Sequence, residues 1–315
     1  MSKINLGIIG AGNIASEHLK VINSIDGVNV SGITSRTIEK AKKLSKKFSI
    51  NNIYDNINNL IKNCSLDGIM ILVSADQIFD IAKKLIPLNI PLFIEKPPGL
   101  TPEETRVLAA LANQYDTKNM VGFNRRFYSI FQKGIDIINE KGSLLGLAVE
   151  GHERFWNIKQ SDILDTIRKN WIYANSTHTI DLLRFFGGEI KNFVSYSKSI
   201  NENFEDQFVA AMEFESGTIG SYTSHWHSPG GWSVKLYGNN VTVILNPLEK
   251  GKWIDTKFDE HIIEMDQIDS DFKPGFYSQQ ICFCNMIKTG KLDWPAQSLL
   301  DSSLTMDLAK KFIID

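Results

Sequence analysis

Short apolar segments alternate with amphipathic, helix-like segments over the first 122 residues of the chain. The apolar segments have the length of single buried strands and lie at residues 4–9, 28–34, 68–73, 92–94 and 119–122. Segments with helical periodicity lie between them, near residues 16–25, 37–48, 76–86 and 102–115. Continuous apolar strands that alternate with helices are typical of a parallel sheet with helices on both faces. We therefore predict a Rossmann-type, doubly wound α/β domain at residues 1–122.

The pattern changes from residue 123 onwards. A helical segment at 127–140 is followed by strands with two-residue alternation at 144–154, 190–196, 207–214, 218–226, 232–237 and 241–245. One helix, at 176–186, interrupts them and ends at two glycines. This pattern predicts an α+β domain with a predominantly antiparallel, open sheet at residues 123–315. We expect the final helix, at 296–315, to pack back on the first domain.

A glycine-rich turn follows the first predicted strand. The sequence Gly10-Ala-Gly12-Asn-Ile-Ala15 fits the pattern G-x-G-x-x-G/A and leads into a helical segment. Gly10 permits a tight turn, Gly12 lets the backbone approach a pyrophosphate, and Ala15 lets the helix pack closely on the strand. The helix N-terminus offers unpaired N–H groups to the phosphates. The motif predicts a dinucleotide-binding turn formed by Gly10, Gly12, Asn13 and Ile14.

The tripeptide Glu95-Lys96-Pro97 ends another predicted strand of this domain. A helix-start signal, Thr101 to Glu104, follows closely, so Lys96 lies in a loop at the carboxyl end of a strand. Ligands of open α/β sheets bind at that edge. Lys96 can take a hydroxyl proton as a hydride leaves, if partial burial and a nicotinamide ring lower its pKa from about 10.4. The alternative is a surface lysine beside a proline-rich turn.

The residues after the second strand bear on the choice of cofactor. An acidic residue there bonds the ribose of NAD, but this chain has Thr34-Ser35-Arg36. The hydroxyl of Ser35 and the guanidinium of Arg36 can bond a 2′-phosphate. We therefore predict NADP in preference to NAD. In the alternative interpretation, Arg36 only stacks on the adenine.

Composition narrows the class of protein. The chain has 315 residues, 43% of them hydrophobic and 22% charged, with a net charge of -2. This balance does not favour nucleic acid or an anionic membrane as a partner, and no segment reaches the ~18 apolar residues of a membrane span. Three cysteines give no disulfide framework. We expect a cytoplasmic protein without nucleic acid or membrane partners.

Two short motifs are candidate metal sites. His225-Trp226-His227 and Cys282-Phe-Cys284 each bring two ligand types close together. Neither has a third ligand at a recognisable spacing, and buried cysteines are usually structural. We expect no metal.

Several motifs together resemble the glucose-fructose oxidoreductase / inositol dehydrogenase (Gfo/Idh/MocA) family. They occur in order along nearly the whole chain: the glycine turn, Glu95-Lys96-Pro97, Val121-Gly-Phe-Asn-Arg-Arg-Phe127, His178-Thr-Ile-Asp181 followed by Gly187, and Tyr237-Gly238. The resemblance implies an NAD(P)-dependent oxidoreductase that acts on CH–OH groups of sugars, sugar derivatives or nucleotide sugars.

Roles follow for individual residues, partly from the resemblance and partly from the residues themselves. The resemblance implies that Lys96 is the main acid/base, often followed by a cis peptide bond, and that His178 assists it. The expected cofactor contacts beyond the glycine turn are Ser35, Arg36, Val73, Ser74, Ala75, Gln77, Glu95, Lys96, Asn124 and Arg125, whereas Arg126 is expected to be structural. The expected substrate contacts are Lys96, Trp156, Lys169, Trp171, Asn175, His178 and Asp181.

One position departs from the family pattern. Many of its sugar dehydrogenases carry an aspartate four residues before the histidine, where this chain has Ala174; Asn175 lies one position away. The catalytic prediction therefore depends chiefly on Lys96.

Two alternatives stay open: sugar chemistry with a retained cofactor, such as epimerisation or glycoside cleavage, and cofactor binding without catalysis. Because an open sheet has a face to cover, we expect a homo-dimer or homo-tetramer.

Overall fold

The computed structural model describes residues 3–313 of the chain, which form two compact units. The parallel-sheet unit contains the chain up to Phe127 together with Asp271–Ser303. The antiparallel-sheet unit contains Tyr128–Ser270 and the chain from Leu304.

The strands and helices are numbered in chain order. The strands are β1 (Ile4–Ile9), β2 (Val28–Thr34), β3 (Ile53–Tyr54), β4 (Gly68–Ile71), β5 (Leu92–Ile94), β6 (Asn119–Val121), β7 (Leu144–Gly151), β8 (Ile190–Lys198), β9 (Gln207–Phe214), β10 (Ile219–His225), β11 (Trp232–Gly238), β12 (Val241–Leu245), β13 (Gly251–Ile254) and β14 (Glu260–Ile263). The helices are α1 (Asn13–Ile22), α2 (Ile38–Phe48), α3 (Ile57–Asn63), α4 (Ala75–Leu85), α5 (Pro102–Gln114), α6 (Ser129–Lys141), α7 (Phe155–Lys159), α8 (Asp165–Lys169), α9 (Thr177–Gly187), α10 (Gln267–Asp271), α11 (Phe276–Thr289) and α12 (Leu299–Lys310).

The parallel sheet has the strand order β3-β2-β1-β4-β5-β6. Its neighbouring strands are all parallel, and the order is that of dinucleotide-binding sheets. Alternate residues of β1 supply two cores: Leu6 and Ile8 pack with residues of α1 and α11, whereas Ile9 packs with residues of α4 and α5. The doubly wound domain predicted from the sequence is confirmed.

Asp271–Ser303 belongs to this unit, although the sequence pattern assigned it to the second domain. The physical reason is that α11 buries its apolar side chains against the parallel sheet: Phe283 packs on Phe93 of β5 with ring centroids 5.6 Å apart. The backbone N–H of Val121 also donates to the carbonyl of Gln297 at 2.8 Å. The final helix, predicted at 296–315, is α12, and only its residues up to Ser303 belong to this unit.

The antiparallel-sheet unit contains an eight-stranded sheet of order β14-β13-β12-β11-β7-β10-β9-β8. Its neighbouring strands are antiparallel except β7 and β10, which are parallel. One face forms a core that contains Leu147, Val149 and Leu236 together with residues of α6 and α9. This arrangement confirms the predicted α+β class with a predominantly antiparallel sheet.

Strand ends differ from the prediction at two places that matter for function. The strand expected at 144–154 ends at Gly151, and the one expected at 218–226 ends at His225. A π-helical turn at Ile172–Ser176 precedes α9, which begins one residue later than predicted. Among residues 3–313, no helix is long and apolar enough to cross a membrane.

Candidate active site

In the glycine turn after β1, Gly10 is tightly packed against the protein, whereas the space beside Gly12 is open. Gly10 has a φ of +113°, and a Cβ there would lie 2.2 Å from the carbonyl oxygen of Leu72. A Cβ at Gly12, by contrast, would meet no atom within 4 Å. Gly12 caps α1 in an extended conformation, and no side chain caps the helix. The open space at a helix N-terminus fits the pyrophosphate of a dinucleotide.

A cavity of about 460 Å³ lies at the same edge of the parallel sheet. The predicted cofactor residues in its wall are Gly10, Ser35, Arg36, Val73 and Gln77. The other predicted residues of these loops, Asn13, Ile14, Ser74 and Ala75, lie in or next to the first turns of α1 and α4, outside the cavity wall. The cavity has the position and size of a site for the adenosine half of a dinucleotide.

The structure brings a carboxylate into this cavity that the sequence analysis missed. Asp55 follows β3, which pairs with β2, so it reaches the same cavity wall as Ser35 and Arg36. Lys84 of α4 also lines the cavity. The charged groups of this cavity therefore come from three elements, and only those directly after β2 were predicted.

Glu95-Lys96-Pro97 lies directly after β5, at the carboxyl edge of the sheet. The peptide bond between Lys96 and Pro97 is cis, as the resemblance implies. Lys96 is half-buried, whereas Glu95 is buried and bonds His18. The side chain of Glu95 thus has a partner within the protein, and its predicted cofactor contact stays a prediction.

Asn124 and Arg125 follow β6 at the same edge. Asn124 is buried, donates from Nδ2 to the carbonyl of Pro274 at 3.0 Å, and accepts from Arg125 Nη1 at 2.9 Å. Their predicted cofactor contacts stay predictions. Arg126 bonds the carbonyl of Pro295 at 3.3 Å, in line with the structural role expected for it.

Lys273 is a cation near this edge that the sequence analysis missed. Its pKa lies below the usual value, first because partial burial removes water and second because Arg125 is positive. Glu95 and Glu17 act in the opposite direction. No sequence motif distinguishes Lys273, because it precedes α11 far along the chain.

In the antiparallel-sheet unit, His178 lies in the first turn of α9. It is 3% exposed, and its ring centroid lies 5.8 Å from that of Trp232. Asp181, one turn later, is 1% exposed and accepts a hydrogen bond from Thr305 at 3.0 Å. Asp181 therefore has a structural bond to α12, and its predicted contact with substrate stays a prediction.

A second cavity, of about 450 Å³, lies within the antiparallel-sheet unit. Two predicted substrate residues, Trp171 and Asn175, are in its wall, whereas Trp156 and Lys169 are not. Further wall residues that the sequence analysis missed are His152, Glu153, Arg154, Trp232 and Glu249. The aromatic faces and polar groups of this cavity suit a polyhydroxylated ligand.

Glu153 is a buried carboxylate in the wall of this cavity. It is 4% exposed and accepts hydrogen bonds from the amide of Asn175 at 3.0 Å and the hydroxyl of Ser176 at 2.9 Å. Both donors belong to the π-helical turn, and such turns are frequent at functional sites. Asn175 lines the cavity, while Ala174, which replaces the family aspartate, does not.

The two histidines around Trp226 have separate protein partners. His225 Nδ1 bonds Gln207 Oε1, and its backbone N–H donates to His152 Nδ1 at 3.1 Å. His227 Nε2 lies 2.9 Å from Glu202. Among the residues described, no group of three His, Cys, Asp or Glu side chains has a metal-binding arrangement.

Two protein-family models match this chain, one in each half. Residues 4–123 match the model described as "Oxidoreductase family, NAD-binding Rossmann fold", and residues 152–244 match the "GFO/IDH/MocA C-terminal domain". The chain belongs to the Gfo/Idh/MocA family. The resemblance inferred from the motifs is confirmed, and the glycine turn and its cavity lie in the NAD-binding domain of the family.

Individual relatives are distant. Inositol 2-dehydrogenase of Salmonella typhimurium is 26% identical over 223 residues, which is 68% of this chain and 65% of that protein. A dehydrogenase of Chromobacterium violaceum has a TM-score of 0.86 at 19% identity, over 99% of this chain and 94% of that one. UDP-N-acetylglucosamine 3-dehydrogenase of Acidithiobacillus ferrooxidans has a TM-score of 0.80 at 15% identity, over 99% and 97%. At these identities the two structures show the fold.

Proposed function

We propose that this protein is an NAD(P)-dependent oxidoreductase acting on the CH–OH groups of a sugar, sugar derivative or nucleotide sugar. A hydride passes between the nicotinamide and a hydroxyl or ketone carbon of the substrate. Lys96 is the main acid/base and His178 assists it. The proposal rests on the glycine turn: Gly12 leaves space for a pyrophosphate, and Lys96 follows a strand at the same edge of the sheet.

The residues of the chain have separate tasks in this reaction. When bound, the nicotinamide supplies the hydride acceptor or donor. Gly10 and Gly12 let the backbone approach the pyrophosphate. For oxidation, the neutral amine of Lys96 takes the hydroxyl proton as the hydride leaves the carbon; for reduction, its ammonium group returns that proton. The half-buried position of Lys96 supports this role.

The cavity of the antiparallel-sheet unit supports a sugar-like substrate. Trp171 and Trp232 offer aromatic faces, while Glu153, Asn175 and Glu249 offer polar groups. The relatives named as inositol 2-dehydrogenase and UDP-N-acetylglucosamine 3-dehydrogenase support the same class. Both a free polyol and a nucleotide sugar remain within the proposal.

Absorbance at 340 nm tests the proposed function. The protein is incubated with NADP or NAD, oxidised or reduced, and a panel of polyols, sugars, keto-sugars and nucleotide sugars, and the products are identified by mass spectrometry. Net dehydrogenation or reduction changes the absorbance in step with product. Product without an absorbance change identifies chemistry with a retained cofactor, and tight cofactor binding without product identifies a binding protein.

The proposed preference for NADP leads to a prediction about Arg36. Replacing it with alanine removes a charge-assisted hydrogen bond, so the Kd for NADPH should rise about 10- to 100-fold. The Kd for NADH should change less than about threefold. Titrations followed by nicotinamide fluorescence measure both. Asp55 to Asn in the same cavity is the matched control, and it should leave the affinity for NADPH equal or higher because a negative charge is removed.

The exposed face of the antiparallel sheet leads to a prediction about self-association. Val194, Tyr196, Val209 and Ile219 are between 45% and 72% exposed on neighbouring strands. We propose that a second copy of the chain covers this face in a homo-dimer or homo-tetramer. Ile219→Asp should shift the mass measured by light scattering to that of a monomer. Val107→Asp, on the exposed face of α5, should leave the mass unchanged. Equal masses for the original protein and both variants would contradict the proposal.

A further inference from the structure

A buried chain of hydrogen bonds connects α11 and α1 to the backbone of Lys96. Gln280 Nε2 lies 2.8 Å from His18 Nδ1, and His18 Nε2 lies 2.8 Å from Glu95 Oε1. The second carboxylate oxygen, Glu95 Oε2, accepts the backbone N–H of Lys96 at 3.1 Å. His18 and Gln280 are fully buried, and Glu95 is 7% exposed. These four residues are named the His18 chain.

The chemistry of the groups fixes the direction of the His18 chain. An ionised carboxylate only accepts hydrogen bonds, so His18 Nε2 carries the proton that Glu95 accepts. The amide nitrogen of Gln280 donates to His18 Nδ1. Glu95 thus receives a hydrogen bond at each carboxylate oxygen, one from His18 and one from the backbone N–H of Lys96. The chain therefore fixes this carboxylate at the backbone of Lys96.

Stability alone does not explain this arrangement. The rings of Phe93 and Phe276 lie 5.0 Å and 4.6 Å from the ring of His18, so water is excluded there. Removing a carboxylate from water is costly, and well-packed apolar residues in place of buried charged groups are often as stable or more so. Glu95 directly precedes Lys96, so its carboxylate is placed where its charge can act on that lysine.

Glu95 also acts on a second lysine of this unit. The pKa of Lys273, which precedes α11, is lowered first by partial burial and then by Arg125 after β6, whereas Glu95 and Glu17 of α1 act to raise it. Glu95 therefore lies within electrostatic reach of Lys273. A negative charge favours the ammonium form of a neighbouring lysine.

We infer that His18 is a positioning residue for Lys96. It holds the Glu95 carboxylate at the backbone of the lysine, where its negative charge raises the pH at which Lys96 gives up its proton. The inference rests on the acid/base role proposed for Lys96, but the electrostatic effect itself exists whether or not the protein turns over a substrate.

The titration of Lys96 can be measured without a substrate. The full chain is labelled briefly with an amine-reactive reagent between pH 6 and 11, and the labelled fraction of each lysine is read by mass spectrometry. Glu95→Gln keeps the shape of the side chain and removes its charge. The midpoint of Lys96 should therefore fall by about 0.5 to 1 pH unit. Lys191, which pairs with Glu213 in the other unit, is the internal control and should not move.

Two substitutions at His18 separate positioning from packing. His18→Leu removes the donor to Glu95, so the carboxylate is no longer held at the backbone of Lys96, and the midpoint of Lys96 should fall as in Glu95→Gln. In His18→Gln the amide nitrogen replaces Nε2 as donor, and most of the midpoint should be restored. Circular dichroism checks the fold of each variant. If His18→Leu does not fold, Glu95→Gln and His18→Gln still give the comparison.

An unchanged Lys96 midpoint in folded Glu95→Gln would overturn the inference. The inference would also be overturned if His18→Gln lowered the Lys96 midpoint as far as Glu95→Gln does. In that case the hydrogen bond donated to Glu95 would not be what positions the carboxylate. Once a substrate is known, the acidic limb of the pH profile of kcat should move by the same amount as the midpoint. A midpoint that moves while turnover is absent with every substrate keeps the inference and counts against the proposed function alone.

Discussion

Replacing Lys96 with alanine should lower kcat by about 10²- to 10⁴-fold, which is the usual contribution of a general acid or base. The cofactor should still bind, because Lys96 is not in the wall of the cavity beside the glycine turn, and only the contact predicted for Lys96 itself is lost. The Kd for reduced cofactor, from fluorescence titration, should therefore change less than about threefold. Stopped-flow absorbance at 340 nm on the substrate found in the panel measures the loss of turnover.

Lys96→Arg is the matched control for charge. Arginine keeps the positive charge but does not lose its proton at neutral pH, so this variant should be nearly as slow as Lys96→Ala. If Lys96→Arg retains most of the activity, the lysine acts through its charge and not as an acid/base. Unchanged turnover in Lys96→Ala would remove it from the mechanism altogether.

The second large effect is expected in the glycine turn, where Gly10 and Gly12 should respond in opposite ways. Gly10→Ala places a methyl group 2.2 Å from a backbone oxygen at a positive φ. Strain and overpacking together should lower the free energy of unfolding by about 2 to 4 kcal/mol, measured by denaturant titration. Gly12→Ala meets no protein atom within 4 Å, so its free energy of unfolding should stay within about 0.5 kcal/mol of the original.

For cofactor binding, we expect the direct loss in Gly12→Ala, the variant whose stability is unchanged. The methyl group of Gly12→Ala occupies the space assigned to the pyrophosphate, so the Kd for reduced cofactor should rise at least about tenfold while the fold is intact. If Gly12→Ala binds the cofactor normally, the pyrophosphate does not lie against this turn. If Gly10→Ala is as stable as the original protein, the tight turn is not required.

Local patterns were sufficient to predict most of the parallel-sheet unit. Five of its six strands are apolar runs between helices of clear periodicity, and the glycine turn is contiguous in sequence. The exception is β3 with α3, where two strand residues and a short helix lie in an asparagine-rich segment without a clear period. Because β3 was not predicted, Asp55 in the cavity beside the glycine turn was not predicted either.

The rest of the site depends on contacts that sequence patterns do not show. His18 and Glu95 are 77 residues apart and meet only because β1 and β4 place α1 near the end of β5. Glu153 looked like part of a strand, but the strand ends at Gly151 and the carboxylate turns into a cavity. The strands β13 and β14 were missed because, unlike the equally short β4, they contain charged residues, Lys252 and Glu260, and are not continuous apolar runs.

Hydride transfer is the central claim, and transfer of deuterium tests it most directly. The protein is incubated with a panel of keto-polyols, keto-sugars and keto-nucleotide sugars and with NADPH or NADH that carries deuterium at C4 of the nicotinamide. Mass spectrometry then locates the label in the product. We predict one deuterium on the carbinol carbon of the product, formed by the original protein and not by Lys96→Ala. Product without deuterium from either C4 position, or bound cofactor with no product from any member of the panel, would contradict the proposed function.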